Sequence, residues 1–152
     1  PLVNIIAYCL NPNHFHLILE QVADEGISKY IQRIAGGHTW RFNKKYNRTG
    51  TLFQGRFKAK HINNDGYLLR VSAYVNANDK IHQLGVPDAK LVRSSLTEYL
   101  SSATGRDICK KDIVLDQFSS IREYKEHVEE LIPEMIKFKK NQKELQELWH
   151  EK

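Results

Sequence analysis

The sequence predicts an α+β fold with an antiparallel sheet in a chain of 152 residues. Residues 2–10 and 14–21 both have strand-like patterns, and the turn-forming Asn11-Pro12-Asn13 joins them. Helical periodicity follows from about Glu25 and again from Asp65 to about Asn78. Neighbouring strands joined by a short turn and mixed with helices are typical of this fold class.

Further elements follow from the same patterns. Gly36-Gly37 predicts a kink in the first helix, or a close approach by a bulky group. Residues 52–62 resemble a strand whose basic side chains share one face. Ser94-Ser95 with Glu98 resembles a capping arrangement for a short helix.

The chain is expected to have two parts. Residues 1–100 form the predicted catalytic core, and residues 101–152 form a charged, mainly helical C-terminal extension. Its last helix is expected from about Ser119, with Pro133 as a boundary.

Composition indicates a soluble, cytoplasmic protein with no membrane partner. Hydrophobic residues make up 41% of the chain, enough for a core, and no apolar run approaches the roughly 18 residues of a membrane helix. Cys9 and Cys109 are far apart and lack the paired spacing of a zinc site. We therefore expect two reduced cysteines.

Positive charge is concentrated in the middle of the chain. The net charge is +5, but residues 29–70 hold ten basic residues against one acid, a net of +9. From residue 101 onward ten basic and eleven acidic residues give a net of −1. A merely solvated basic face usually carries interspersed acids, so this distribution favours a surface that binds nucleic acid.

A histidine pair follows the turn. His14 and His16 alternate on one strand, so their side chains point the same way, about 7 Å apart at the backbone. Phe15, Leu17 and Leu19 face the opposite side and are candidates for burial. Two imidazoles at this spacing can converge on one cation, although a third ligand is needed. A histidine-triad nucleotide hydrolase would require a third histidine where this chain has Ile18, which weakens that alternative.

A tyrosine helix supplies the remaining chemistry. Tyr74 and Asn78 are four residues apart and share a predicted helix face, with Tyr67 two turns before Tyr74. A tyrosine at helical spacing is usually a core residue, but here it accompanies a histidine pair and an amide oxygen. A free phenol, with a pKa near 10, is a poor nucleophile, and a divalent metal that polarises a phosphate lowers the barrier to its attack.

These elements together resemble the single-tyrosine HUH transposases, in the branch called REP-associated tyrosine transposases. The resemblance covers about Val3 to Leu100. It is carried by Asn11-Pro12-Asn13-His14-Phe15-His16-Leu17, Gly50-Thr51-Leu52-Phe53-Gln54-Gly55-Arg56-Phe57, Tyr67-Leu68-Leu69-Arg70-Val71-Ser72-Ala73-Tyr74-Val75-Asn76-Ala77-Asn78 and Leu91-Val92-Arg93-Ser94-Ser95.

The resemblance implies the roles of these residues. His14, His16 and Asn78 are expected to bind Mg²⁺ or Mn²⁺, and Tyr74 to be the nucleophile that forms a 5′-phosphotyrosine link in single-stranded or hairpin DNA. A ferredoxin-like antiparallel sheet with helices on one face is implied. Asp79 follows Asn78 where the family often has proline.

The family also has a strand and a helix before the region where this chain begins. Their expected loss leaves a sheet edge that is unpaired or pairs with a borrowed strand, so a monomer or a homodimer is expected and inactivity is an alternative.

Two other functions compete with a metal-dependent transposase. A catalytically inactive remnant would still bind DNA hairpins through the basic residues of the middle segment, and a hydrolase of small phosphoesters would need only the histidine pair. The residues expected to bind DNA are Arg41, Lys44, Lys45, Arg56, Lys58 and Lys60. Trp40, Phe42 and Tyr46 could stack on unpaired bases, whereas Phe42 and Phe57 are favoured as core residues.

Overall fold

The computed structural model describes residues 1–82, 90–102 and 107–150, with side chains up to residue 143. Three strands form one antiparallel sheet in the order β2-β1-β3. Along the chain, helices lie between the second and third strands and after the third. The predicted α+β class with a helical C-terminal part is confirmed. The elements are β1 (Val3–Leu10), β2 (Phe15–Gln21), α1 (Gly26–Tyr46), α2 (Asp65–Asn76), α3 (Asn78–Ile81), β3 (Arg93–Ser94), α4 (Leu96–Leu100), α5 (Asp112–Leu115) and α6 (Ile121–His150).

The chain divides into two compact units. Unit 1 contains Pro1–Asn4 and Leu19–Ile62, and unit 2 contains Ile5–Ile18 and Asn63–Lys152. Each unit is described below by itself. The functional division into residues 1–100 and 101–152 stays a prediction.

The sheet begins with a tight hairpin. The backbone N–H of Asn11 donates to the carbonyl of His14 at 2.9 Å, which closes the predicted turn. On the other side of β1, Cys9 lies opposite Ser94 in antiparallel register with β3. The burial expected along β2 is wrong in its phase, because Ile18 is buried while the apolar residues that alternate with it are only half-buried.

In unit 1, α1 is one continuous helix, and its paired glycines play no role in packing. A Cβ built on Gly36 or Gly37 meets nothing within 4 Å, so the expected interruption and close approach are wrong. The close approach occurs at Gly26 instead, where a Cβ would lie 2.1 Å from the carbonyl oxygen of Leu2. That oxygen also accepts hydrogen bonds from the backbone N–H groups of Val22 and Ala23, both at 3.1 Å.

The strand expected over residues 52–62 is not formed. This segment of unit 1 is irregular and largely exposed. Arg56, Lys58 and Lys60 are exposed, but they do not share a strand face. Alternation makes a strand only where another strand accepts its backbone hydrogen bonds, and the described part of the chain provides none for this segment.

In unit 2, α2 begins where the sequence predicts. The side chain of Asn64 accepts a hydrogen bond from the N–H of Tyr67 at 2.8 Å and so caps the helix. Leu68, Ser72 and Val75 are among its buried residues.

The helix α6 packs against α2 and α3. Its buried residues are Tyr124, Val128 and Met135. Pro133 lies inside α6, so its expected role as a boundary is wrong. No helix in the described residues combines the length and apolar character needed to cross a membrane.

We predict opposite effects for two glycine-to-alanine substitutions in α1. Gly26→Ala forces a methyl group against the Leu2 carbonyl and is expected to reduce the free energy of unfolding by about 1–3 kcal/mol. Gly36→Ala is the matched control and is expected to increase the free energy of unfolding by about 0.5–1 kcal/mol. Alanine lowers the conformational entropy of the unfolded chain, and its methyl group meets no other atom at this position. Urea unfolding followed by circular dichroism measures both; destabilisation by Gly36→Ala would contradict the open space around that residue.

Candidate functional site

The predicted metal and tyrosine residues come together in unit 2. His14 immediately precedes β2 and His16 lies within it, with their ring centroids 5.0 Å apart in an edge-to-face arrangement. The ring of Tyr74, on α2, lies 5.7 Å from that of His16. Asn78 is fully buried and is linked to His14 through a shared hydrogen-bond partner, Asn11.

The hydrogen bonds of His14 define which ring nitrogen carries its proton. The Nδ2 group of Asn11 lies 3.0 Å from Nε2, and Oδ1 of Asn13 lies 2.7 Å from Nδ1. An amide NH₂ group donates and an amide oxygen accepts, so Nε2 is the acceptor and Nδ1 carries the proton. The lone pair of Nε2 therefore accepts the hydrogen bond from Asn11.

His16 has a buried ring nitrogen without a partner. Its Nε2 is buried and makes no hydrogen bond. Burial, together with the neighbouring His14, holds the pKa of His16 below its ordinary range, so the ring is neutral at neutral pH. A neutral imidazole with an unused nitrogen is suited to binding a metal.

Asn78 reaches the site from a different element than expected. The helix α2 ends at Asn76, and Ala77, with φ −106° and ψ 22°, separates it from α3, which begins at Asn78. The expectation of one helix running to about Asn78 is therefore wrong in its end. Oδ1 of Asn78 accepts a hydrogen bond of 2.9 Å from Asn11, and its buried Nδ2 has no partner.

Asn11 is a site residue that the sequence analysis missed. Its NH₂ group donates both to Nε2 of His14 and to Oδ1 of Asn78. These are two of the three atoms that the predicted metal site requires. The NH₂ group of Asn11 thus donates hydrogen bonds to lone pairs of His14 and Asn78 that would otherwise be available to a cation.

Two further missed residues lie behind Tyr74. The hydroxyl of Tyr74 is 3.1 Å from Nε2 of His82, and the ammonium group of Lys139 is hydrogen-bonded to Nδ1 of His82. Burial, followed by the charge of Lys139, lowers the pKa of His82. His82 follows Asn78 by four residues, a helical spacing that could have revealed it. Lys139, in α6, gives no such signal.

A buried amide fixes the segment between Tyr74 and Asn78. Oδ1 of Asn76 accepts from the Ser95 hydroxyl at 2.6 Å, and its Nδ2 donates to the Tyr124 hydroxyl at 2.7 Å. The backbone carbonyl of Asn76 accepts from the Ser94 hydroxyl at 3.1 Å. All three contacts hold the end of α2.

The serine pair therefore has another role than the expected helix cap. Ser95 makes no side-chain cap hydrogen bond to α4. The Glu98 carboxylate accepts from the Tyr8 hydroxyl at 3.0 Å and from the backbone N–H groups of Ile108 and Cys109, both at 3.0 Å. The predicted cap by Ser95 and Glu98 is not formed because these two side chains bond to distant elements, while Ser94 Oγ accepts from the N–H of Leu96 at 3.4 Å.

The residues expected to bind DNA all lie in unit 1. Three of them are exposed on α1 and three in the irregular segment: Arg41, Lys44, Lys45, Arg56, Lys58 and Lys60. Trp40 and Tyr46 are 66% and 55% exposed, and the ammonium groups of Lys44 and Lys45 lie 5.1 Å and 5.0 Å from their respective ring centroids. Phe57 is also exposed, so its expected burial in a core is wrong.

No group of three or more histidine, cysteine, aspartate or glutamate side chains forms a metal cluster within residues 1–82, 90–102 and 107–150. A metal site built on His14 and His16 thus depends on the amide oxygen of Asn78. Amide oxygen and imidazole nitrogen leave coordination positions open for phosphate and water.

Comparison with known families identifies the chain. Residues 2–78 match the family model described as "Transposase IS200 like". This segment is just over half of the 152 residues and contains the turn, the histidine pair, Tyr74 and Asn78. The chain belongs to the IS200-like transposase family, whose function is DNA transposition. No curated protein and no solved structure matches it.

We predict that the buried amide network stabilises unit 2. Tyr124→Phe removes the acceptor of Asn76 Nδ2 and is expected to reduce the free energy of unfolding by about 1–3 kcal/mol, because a buried donor is left unsatisfied. Tyr46→Phe makes the same chemical change on an exposed ring and is expected to stay within about 0.5 kcal/mol of the unmodified protein. Urea unfolding compares the two, and equal effects would contradict a role for the network.

Proposed function

We propose that this protein is a metal-dependent transposase of the REP-associated branch, which cuts and rejoins single-stranded or hairpin DNA through a covalent 5′-phosphotyrosine intermediate. The observation that supports it best is the convergence of four residues in one unit, although the turn before β2, β2, α2 and α3 supply them separately: His14, His16, Tyr74 and Asn78. Core packing alone does not account for the partnerless nitrogen of His16.

The donor set fits a divalent cation such as Mg²⁺ or Mn²⁺. His14 and His16 would hold it through Nε2, and Asn78 through its side-chain oxygen. The buried, unpaired Nε2 of His16 and the proton on Nδ1 of His14 both favour this assignment. When bound, the cation supplies Lewis-acid polarisation of the scissile phosphate.

Tyr74 is the proposed nucleophile. Its phenolic oxygen forms a bond to phosphorus while the bond from phosphorus to the 3′ oxygen breaks. The phenol loses its proton to solvent, and the departing 3′ oxygen takes up one proton from solvent to become the 3′-hydroxyl. The 5′ end is then held as a phosphodiester of Tyr74. Because one phosphodiester replaces another, the reverse attack by a 3′-hydroxyl rejoins DNA without an external energy source.

The exposed surface of unit 1 is the proposed DNA-binding region. Six cations, Arg41, Lys44, Lys45, Arg56, Lys58 and Lys60, would pair with phosphates and make binding salt-dependent. Trp40 and Tyr46 are exposed aromatic rings on which unpaired bases could stack, and each has a lysine ammonium group close to its ring. A monomer and a homodimer are both compatible with this mode of binding.

We predict that incubation with labelled hairpin or single-stranded DNA and Mg²⁺ or Mn²⁺ gives a protein-linked DNA band on a denaturing gel. Tyr74→Phe is expected to abolish the band while sparing DNA binding, because only the nucleophilic oxygen is lost. His14→Ala is expected to reduce the band by at least about a hundredfold, through loss of transition-state charge stabilisation. Tyr67→Phe is the matched control and is expected to retain it.

Each alternative function gives a different result. Tight, salt-sensitive hairpin binding without a band, under either metal, would establish the inactive remnant instead. A band that persists in Tyr74→Phe and disappears in Tyr67→Phe would move the nucleophile to Tyr67. Turnover of a nucleotide without DNA cleavage would indicate a hydrolase of small phosphoesters.

Two asparagine variants are expected to change Mn²⁺ affinity in opposite directions. Asn11→Ala removes hydrogen bonds that compete for His14 and Asn78, and is expected to tighten binding by about threefold to tenfold. Asn13→Ala removes the partner that orients His14, and is expected to weaken binding by about tenfold. Isothermal titration calorimetry without DNA measures both, with His14→Ala as the control that loses the site. Weaker binding by Asn11→Ala would make Asn11 a metal ligand rather than a competitor.

A further inference from the structure

A chain of hydrogen bonds ends on the oxygen atom of the proposed nucleophile. The ammonium group of Lys139 is bonded to Nδ1 of His82, and Nε2 of His82 lies 3.1 Å from the Tyr74 hydroxyl oxygen. The three residues come from α6, the end of α3 and α2, all within unit 2. His82 and Lys139 both lie outside the segment that matches the transposase family, residues 2–78.

The donors and acceptors of this chain fix its direction. A lysine ammonium group has only donors, so Nδ1 of His82 accepts and carries no proton. A neutral imidazole then carries its proton on Nε2, from which it donates to the oxygen of Tyr74. A doubly protonated ring would place two donors against each other at Nδ1, which the contact with Lys139 excludes. Tyr74 is therefore an acceptor toward His82, and its own hydroxyl proton points elsewhere.

We propose that His82 is a catalytic hydrogen-bond donor to the nucleophilic oxygen of Tyr74, and that Lys139 is the positioning residue that holds His82 in the donating form. This inference rests on the proposed function, since it assigns a role in the phosphotyrosine reaction. Its consequence is that the C-terminal helix contributes to the catalytic site.

The donor acts where negative charge develops on the phenolic oxygen. As the phenol proton leaves, the hydrogen bond from Nε2 becomes charge-assisted and so stronger. In the rejoining reaction the same oxygen departs from phosphorus, and the same N–H group stabilises it as a leaving group. His82 keeps its proton in both directions, so it serves cleavage and rejoining alike. A base that removed the proton would have to return it before the reverse step.

Lys139 has a second effect besides setting the tautomer. The Lys139 ammonium group donates a hydrogen bond to Nδ1 of His82 and so draws electron density from the imidazole ring. The N–H group at Nε2 becomes a stronger hydrogen-bond donor as a result. Lys139 is exposed, so its contact with His82 orders a side chain that would otherwise be free to move in solvent. Lys137 is an exposed lysine on the same helix, two residues before Lys139, and serves as a control of equal charge.

The test measures the rate of adduct formation in single turnover at saturating hairpin DNA, and DNA affinity separately. His82→Ala is expected to lower the rate constant by about tenfold to a hundredfold, with DNA affinity unchanged. His82→Gln is expected to recover most of that loss, because its amide can accept from Lys139 and donate to Tyr74. Lys139→Ala is expected to lower the rate about threefold to tenfold, Lys139→Arg to restore it and Lys137→Ala to leave it unchanged.

The outcomes separate this proposal from the proposed function. If the unmodified protein forms no adduct, both are overturned. If it forms an adduct and His82→Ala forms it equally fast, or if His82→Ala loses DNA affinity rather than rate, only the role of His82 is overturned. Two-bond ¹H–¹⁵N NMR of the histidine rings gives a readout without catalysis: it is expected to show His82 protonated at Nε2 and changed by Lys139→Ala. Protonation at Nδ1 alone would overturn the direction of the chain.

Discussion

The structure of unit 2 depends on one buried amide, that of Asn76. Its two polar atoms bond to Ser95 and Tyr124, so a single side chain joins α2 to the segment after β3 and to α6. An amide buried here without hydrogen bonds would lower the stability of the fold, whereas one that makes both bonds fixes the positions of three elements relative to one another. Tyr74 and Asn78 lie two residues to either side of it. The position of Tyr74 relative to the histidines therefore follows from the hydrogen bonds of a side chain that is not itself part of the proposed site.

The site combines rigid and replaceable contacts. Tyr74 and Asn78 are set by the buried network, while His14 is oriented by Asn13 and occupied at its other nitrogen by Asn11. The two hydrogen bonds of Asn11, to His14 and to Asn78, are the contacts that would compete with a cation. The donor atoms are thus brought together by the fold and its hydrogen bonds, which lowers the reorganisation that binding would require. Nε2 of His16 differs from these atoms because it is buried and makes no hydrogen bond.

Sequence reasoning succeeded where local rules decide. The hairpin at Asn11-Pro12-Asn13, the cap at Asn64 and the alternation of His14 and His16 depend on neighbours in sequence, and the structure has all three. It failed where partners are distant. Residues 52–62 alternate like a strand but have no strand to pair with in the described structure, and Pro133 is accommodated in α6 because buried residues such as Met135 stabilise the helix despite a cost of about 3 kcal/mol. Asn11 and Lys139 became visible only through their contacts.

The contact between Lys139 and His82 joins two segments that sequence comparison treats separately. The family match ends at Asn78 and therefore contains Tyr74, the proposed nucleophile, but neither His82, which hydrogen-bonds to it, nor Lys139. If residues 2–78 and the C-terminal helix act together, a substitution in one changes the selection that acts on the other. Exchange of residues 2–78 alone between relatives would then place Tyr74 beside a C-terminal helix from a different protein. In that case Tyr74 and the C-terminal helix would have to be inherited together.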